Sequence, residues 1–240
     1  MTSINLENRK VREGRMEGVS GRQINRYGPC LGRELTVNPN LSISDVIRQC
    51  INPEEYDHAI VIHNVGSTGD LSQSTTEMKD FRVWEKMYDL NVFSSAVLNS
   101  VFMEIFNDKV KAKKLVINMT SIAAKLPAKS GAYYSSTKAA REMYFKVFAQ
   151  EFPEVNVLNF SPYLTETHLL KELDGIRRTT QLPIFSMISR LAGLILTPKQ
   201  VADRLVEIIR GQKYKSGDFV DYYDPLTSTI LLTGQQLHLI

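Results

Sequence analysis

An α/β fold, a parallel β-sheet with helices on both faces, is what this sequence predicts, and three observations carry the prediction. Short apolar runs lie near Val37, Ile60, Val116, Val157 and Phe219, and the run His58–His63 is continuous, as a strand buried on both faces requires. Stretches of helical pattern alternate with these runs, the order that builds a parallel sheet. The chain has 240 residues, 43% hydrophobic and 23% charged, enough apolar material for one core of ordinary domain size.

Residues 1–34 are polar and basic, with Arg9, Lys10, Arg12, Arg15, Arg22, Arg26 and Arg33, and their apolar residues follow neither period; an irregular, weakly packed leader is expected. A folded domain is expected over 35–225 and an apolar tail over 226–240. Ser44 to Cys50 predicts a helix with Ser44 as N-cap, ended by Asn52-Pro53. Gly66 to Asp80 is a loop. Phe81 to Phe106 predicts one long helix or two broken pieces, with Trp84, Met87, Tyr88, Val92 and Leu98 on its apolar face. Asn91 falls within that stripe and needs buried partners. Lys114–Met119 is the next strand. A helix over Ala132–Phe152 follows, stopped by Pro153, and then a strand over Val155–Phe160. Thr197 and Pro198 open a last helix as N-cap and first residue, with Gly211 after its end and Val201, Leu205 and Ile208 on its buried face. Lys213 to Asp224 is the C-terminal strand.

Composition excludes several function classes. The net charge of +3 is spread along the chain, and no basic face interleaved with aromatics offers itself to nucleic acid. No apolar run has membrane-spanning length, and the first residues lack a signal-peptide core. Cys30 and Cys50 are then expected to be reduced thiols of a cytoplasmic protein. His58 and His63 belong to no cluster of metal-ligand spacing, so no metal is expected. Asn118-Met119-Thr120 and Asn159-Phe160-Ser161 match a glycosylation pattern but fall at the ends of buried strands.

Tyr134 and Lys138 stand four residues apart in a helical pattern and so share one face. A free phenol is a poor acid–base group near neutrality; a neighbouring ammonium favours the phenolate and lowers its pKa. Ser121, at the end of the preceding strand, can hydrogen-bond a substrate oxygen. Tyr-x-x-x-Lys also occurs on solvated helices, so the pair alone decides nothing.

The wider pattern does more. Asn118-x-Thr120-Ser121, Tyr134-x-x-x-Lys138 and Asn156-Val157-Leu158-Asn159-Phe160-Ser161-Pro162 together resemble the short-chain dehydrogenase/reductase family. The resemblance implies a Rossmann-like doubly wound parallel sheet and a nicotinamide cofactor, NADP (NADPH). It implies Tyr134 as proton donor, Lys138 as the group that tunes Tyr134 and holds the nicotinamide ribose, Ser121 as the group polarising the carbonyl, and Asn91 as holder of a water behind Lys138. Asn64 and Gly66 fall where the family has Asn-Asn-Ala-Gly. Thr167 falls in its Pro-Gly-x-x-x-Thr segment, with Tyr163 in place of the glycine. His168–Leu196 matches the variable substrate lid. The family's first strand, glycine-rich phosphate turn and helix have no counterpart in residues 1–34, so the N-terminal unit is expected to be incomplete. A homodimer formed through the helices of Phe81–Phe106 and Ala132–Phe152 is also implied.

Within the family, Gly66-Ser67-Thr68-Gly69-Asp70, Lys138-Ala139-Ala140-Arg141-Glu142-Met143 and Lys215–Asp224 resemble a branch that reduces pterin side-chain carbonyls in tetrahydrobiopterin formation. There Asp221 would anchor the pterin ring, and Ser121, Ile122 and Tyr134 would line the rest of the substrate site. Two alternatives stay open: reduction of another small carbonyl, and a cofactor-deficient relative that binds pterin or pairs with a full-length subunit. Asp221 itself also reads as a strand-end residue satisfied by the backbone.

Overall fold

The computed structural model describes residues 45, 47–48, 51–167, 170 and 193–224, and the main-chain path of 3–8. The leader from residue 9, both cysteines, the strand near Val37, the Ser44 cap, most of the expected lid and the tail after 225 lie outside these residues. Asp45, Ile47 and Arg48 are helical, and the Ile51 N–H donates to the Ile47 carbonyl at 3.1 Å, as that expected helix requires.

Five strands form one sheet in the order β1 (Ser3–Asn8), β2 (Tyr56–His63), β3 (Lys113–Met119), β4 (Asn156–Ser161) and β5 (Phe219–Asp221). From β2 to β5 the pairing is parallel throughout. β1 pairs antiparallel with β2, Ser3 opposite Ile62. This departs from the irregular leader expected at residues 3–8. The physical reason is the open side of β2, whose N–H and C=O groups need partners that six extended residues can supply.

Helices cover both faces. α1 (Phe81–Tyr88), a π-helical turn (Asp89–Phe93) and α2 (Ser94–Ile105) follow without a break, so the expected long helix is continuous with a bulge in its middle. α3 (Ala132–Glu151) and α4 (Pro198–Gly211) complete the set among the described residues. Side chains alternate across each strand. Ala59, Val61, Val116 and Val157 pack on one face with Phe102, Phe106, Phe145 and Phe148. Leu115, Ile117, Leu158 and Phe160 pack on the other with Leu196, Val201 and Ile208. Each such large apolar side chain contributes about 1.5–3 kcal/mol on burial. α4 begins with a full capping box between Thr197 and Gln200; it runs through Gly211, and Gln212 rather than a glycine takes the left-handed position (φ 45°).

β5 is shorter than expected because the segment before it is a turn: Asp218 accepts from the Lys215 N–H, and Gly217 sits at φ 90°. A Cβ on Gly217 would stand 3.0 Å from the Ala149 methyl, so the turn lies flat against α3. Asn118 donates to Asn159 (2.8 Å), and Asn159 to the Gly217 carbonyl (2.9 Å), a buried chain that ties β3, β4 and this turn together. Neither asparagine reaches the surface that glycosylation would need.

Candidate active site

Parallel strands bring their carboxyl ends to one edge, the place where such sheets bind ligands. Here that edge carries His63, Met119, Ser161 and Asp221, the last residues of β2 to β5. Ser121 follows β3 directly and caps a short 3-10 turn (Ile122–Ala124), its Oγ accepting from the Ala123 N–H at 3.2 Å. α3 packs along one face of the sheet and brings its first turns to the ends of these strands. Its Tyr134 side chain faces Ser121, whose hydroxyl acts on the phenol. One turn further, Lys138 Nζ donates to the Met119 carbonyl at 2.7 Å and stands 5.5 Å from the Tyr134 ring centre. Ser121, Tyr134 and Lys138, expected from separate sequence positions, are therefore neighbours.

Asn91 is fully buried in the π-helical turn. Its side chain exchanges two hydrogen bonds of 2.9 Å with the Ser67 main chain and donates a third to Thr137 Oγ1, also at 2.9 Å. The extra residue of a π-turn swings this polar group inward, a device common at functional sites. The side chain spends its hydrogen bonds on Ser67 and Thr137, so it pins the loop after β2 onto α3. The expected link from Asn91 to Lys138 through water would have to use its main-chain carbonyl, which already accepts from Arg141 at 3.1 Å.

Electrostatics corrects one expectation. Burial pushes the Tyr134 phenol above its ordinary range; the Ser121 hydroxyl and the Arg141 charge oppose it without prevailing. Burial, and then the charge of Arg141, hold the Lys138 pKa well below that of an ordinary lysine. His63 is driven to about 4 by burial, with the Asn99 hydrogen bond opposing and Arg141 adding to the fall. Behind the site, burial works to raise the Glu142 carboxyl, but Lys125 and Lys146 hold it below its usual value; Thr120 also donates to it. The Lys125 contact ties the segment after Ser121 to α3.

Asp221 lies at the same edge, half-buried. One carboxylate oxygen accepts from the Tyr223 N–H at 3.2 Å, and its own N–H donates to Asp224 at 2.8 Å. The strand-end alternative is thus met for one oxygen. Tyr223 packs edge-on against Tyr163 and Tyr222, ring centres 4.9 Å apart in both pairs. Tyr163 stands at φ 60°, in the left-handed region where a glycine is at ease and a tyrosine is strained. Asn64, Gly66, Ile122 and Thr167 are exposed around the opening; Thr167 Oγ1 donates to the Thr165 carbonyl at 3.2 Å.

A nicotinamide ribose fits the donor set at this end. Lys138 has N–H donors beyond the one given to Met119, and Gly66 leaves open the space over it. A Cβ there would lie 3.6 Å from Lys138 Nζ and 3.4 Å from Asn91 Oδ1. Residues 9–34, where no counterpart of the family's phosphate turn was expected, lie outside the described residues. Among the described residues no group of three His, Cys, Asp or Glu could hold a metal ion, and no helix is long and apolar enough to cross a membrane.

Sequence reading missed Arg141 and Thr137 as parts of this site. The available signal was helical spacing: Arg141 stands three residues after Lys138, and Thr137 three residues after Tyr134.

The profile of the short chain dehydrogenases matches residues 31–176. The chain is 31% identical to the sepiapterin reductase of Xenopus tropicalis over 69% of its own length and 63% of that protein's, so it spans less than two thirds of that relative. It is 28% identical to the sepiapterin reductase of Rattus norvegicus over 90% of its own length and 81% of that protein's. Among solved structures, the angucycline C-6 ketoreductase LanV with bound NADP superposes with a TM-score of 0.53 at 18% identity, covering 68% of this chain and 60% of that one. At that identity the likeness speaks for the fold.

Proposed function

This chain belongs to the short chain dehydrogenase family, and from that premise we propose that it is an NADP-dependent reductase of a small carbonyl compound, its substrate a pterin with a side-chain ketone. One observation carries the reading. Tyr134 faces Ser121 beside Lys138 at the end of β3, while Asp221 ends β5, two strand spacings or roughly 10 Å along the same edge. That span suits a fused bicyclic ring held at one end, with its side-chain carbonyl presented at the other. Similarity to two sepiapterin reductases supports the same substrate class.

A nicotinamide cofactor, when bound, supplies the hydride. Ser121 holds the carbonyl oxygen, and Tyr134 gives it a proton as charge develops there. A phenol whose pKa is raised by burial keeps its proton until a stronger base forms beside it, which suits a donor to a nascent alkoxide. Lys138 holds the ribose, and Asn91 keeps the loop after β2 in place. Asp221 accepts the paired N–H groups of the 2-aminopyrimidinone edge. Calorimetric titration of the purified chain with NADPH and then sepiapterin, followed by a turnover assay, tests this. A folded chain that binds no pterin with or without NADPH removes the pterin substrate.

Tyr163 favours a second reading, a pterin-binding relative with weak cofactor affinity. A strained tyrosine stands where the family pattern has a glycine against the carboxamide. Pterin binding without NADPH binding would select it.

A second copy of the chain is the proposed partner. α2 and α3 lie side by side, the Tyr144 hydroxyl reaching the Ala96 carbonyl at 3.4 Å. They expose Val97 (55%), Met143 (61%) and Val147 (45%), with Phe93 of the π-turn at 51%, as neighbouring large apolar side chains. Light scattering should show a dimer, and a V97E/M143E double variant should be monomeric; a monomeric parent chain would discard this partner.

A further inference from the structure

The largest fully buried side chain among the described residues belongs to a cation, Arg141, 1% exposed. Among the described residues it pairs with no carboxylate. Its fork donates instead to four main-chain carbonyls: Nη1 to Val65 (2.8 Å) and Asn91 (3.1 Å), Nη2 to Met119 (2.5 Å) and His63 (3.4 Å). These carbonyls come from the end of β2, the loop after it, the π-turn and the end of β3. Met119 O is the atom that also accepts from Lys138 Nζ, so two cations one helical turn apart share one carbonyl. Burying a guanidinium without a counter-charge is expensive, and an apolar residue of similar volume would fill the space at less cost.

We propose that Arg141 is a positioning residue of the Tyr134–Lys138 pair: its guanidinium locks the ends of β2 and β3 and the Asn91 turn onto α3, and it is the site's permanent positive charge. The proposal rests on the reading of Tyr134 and Lys138 as the reacting pair. Burial lowers Arg141 only to about 10, so it stays charged at neutrality, with Tyr134 acting in the opposite sense. The Arg141 charge pulls the Tyr134 phenol downward, against the rise that burial causes. Burial first, and then the Arg141 charge beside it, lower the proton affinity of Lys138. The titratable groups that face Arg141 are Lys138 and Tyr134 on α3 and His63 on β2; the loop after β2 and the π-turn face it with carbonyls, and Glu142 turns away to Lys125 and Lys146.

The test is the titration of Lys138 in the full chain without cofactor or substrate, read by nitrogen NMR of isotope-labelled lysine, with K138R identifying its signal. In the parent chain Lys138 should titrate well below the other lysines; a Lys138 that titrates like them overturns the proposal. R141M, which keeps the bulk and loses the charge, should raise the midpoint by roughly 1–3 pH units, and R141K, which keeps a charge, should leave it depressed. A midpoint that R141M does not move overturns the proposal and leaves Arg141 as packing alone, whatever the stability of the variants. If R141M does not fold, R141Q replaces it and is read the same way. If neither folds, R141K decides: a depressed Lys138 supports the proposal and an ordinary one overturns it. No substrate enters the measurement, so failure of the pterin reading leaves this result standing, and an unmoved Lys138 leaves the pterin reading standing.

Discussion

The two ends of the sheet's carboxyl edge are built differently. At the β3 end, polar groups are buried and held by residues distant in sequence: Asn91 by Thr137, Arg141 by His63, 46 and 78 positions apart. At the β5 end, Asp221 sits in a partly solvated turn and is held by Tyr223 and Asp224, two and three residues on. The first end is rigid because many elements must agree on it, and its groups titrate abnormally because water is excluded. The second keeps an ordinary carboxylate geometry with one oxygen turned to a local N–H. Chemistry suits the first and recognition of a polar ring edge suits the second.

The largest expected effect breaks the first end. Tyr134→Phe should reduce turnover about 10²–10⁴-fold, the usual contribution of a positioned acid, while pterin affinity stays nearly unchanged. Equal turnover of variant and parent would remove Tyr134 as the donor. Stability against pH sharpens the contrast. His63 has a folded pKa of about 4, below its unfolded value of about 6.5. The folded state therefore binds fewer protons between these values, and its stability is intact above pH ~6.5 and lost as pH falls towards ~4. Urea unfolding at pH ~7 and ~4.5 should show His63 accounting for a loss of about 2–3 kcal/mol. The variant H63L should lose that share of the slope, and an unchanged slope would mean His63 is not the group responsible.

At the other end, Asp221→Ala should weaken pterin binding by about 1.5–3 kcal/mol, the range for hydrogen bonds to a charged group. Because the turn is local, the unfolding midpoint should barely move. A stability loss larger than the binding loss would make Asp221 a structural cap. The smallest effect is expected at Tyr163. Replacing it by Gly relieves about 1–2 kcal/mol of left-handed strain and removes an aromatic contact with Tyr223 of about 0.5–1.5 kcal/mol. Thermal unfolding should therefore shift by less than about 1 kcal/mol in either direction. Titration of Y163G with NADPH then reads the cofactor question alone, and affinity equal to the parent's would show that the tyrosine does not obstruct.

Much of this architecture was written in local signals. The strands of Ile60, Val116 and Val157 were legible as apolar runs, α4 from Thr197-Pro198, and the end of α3 from Pro153, because each signal lies within one element. The shared face of Tyr134 and Lys138 followed from helical spacing alone. What only the tertiary structure decided depends on what stands around a group. The antiparallel β1 answers an open strand edge, not a pattern in residues 3–8. Asn91 found Thr137 and Ser67 because a π-turn rotated it inward. The Arg141 fork draws on carbonyls from four segments, none of which marks itself in sequence. Lys138 loses proton affinity through burial and a neighbouring guanidinium, and the Tyr134 phenol rises where spacing alone argued that it should fall. Spacing determines which groups can meet, whereas desolvation, set by the packed surroundings, determines the charge they carry when they do.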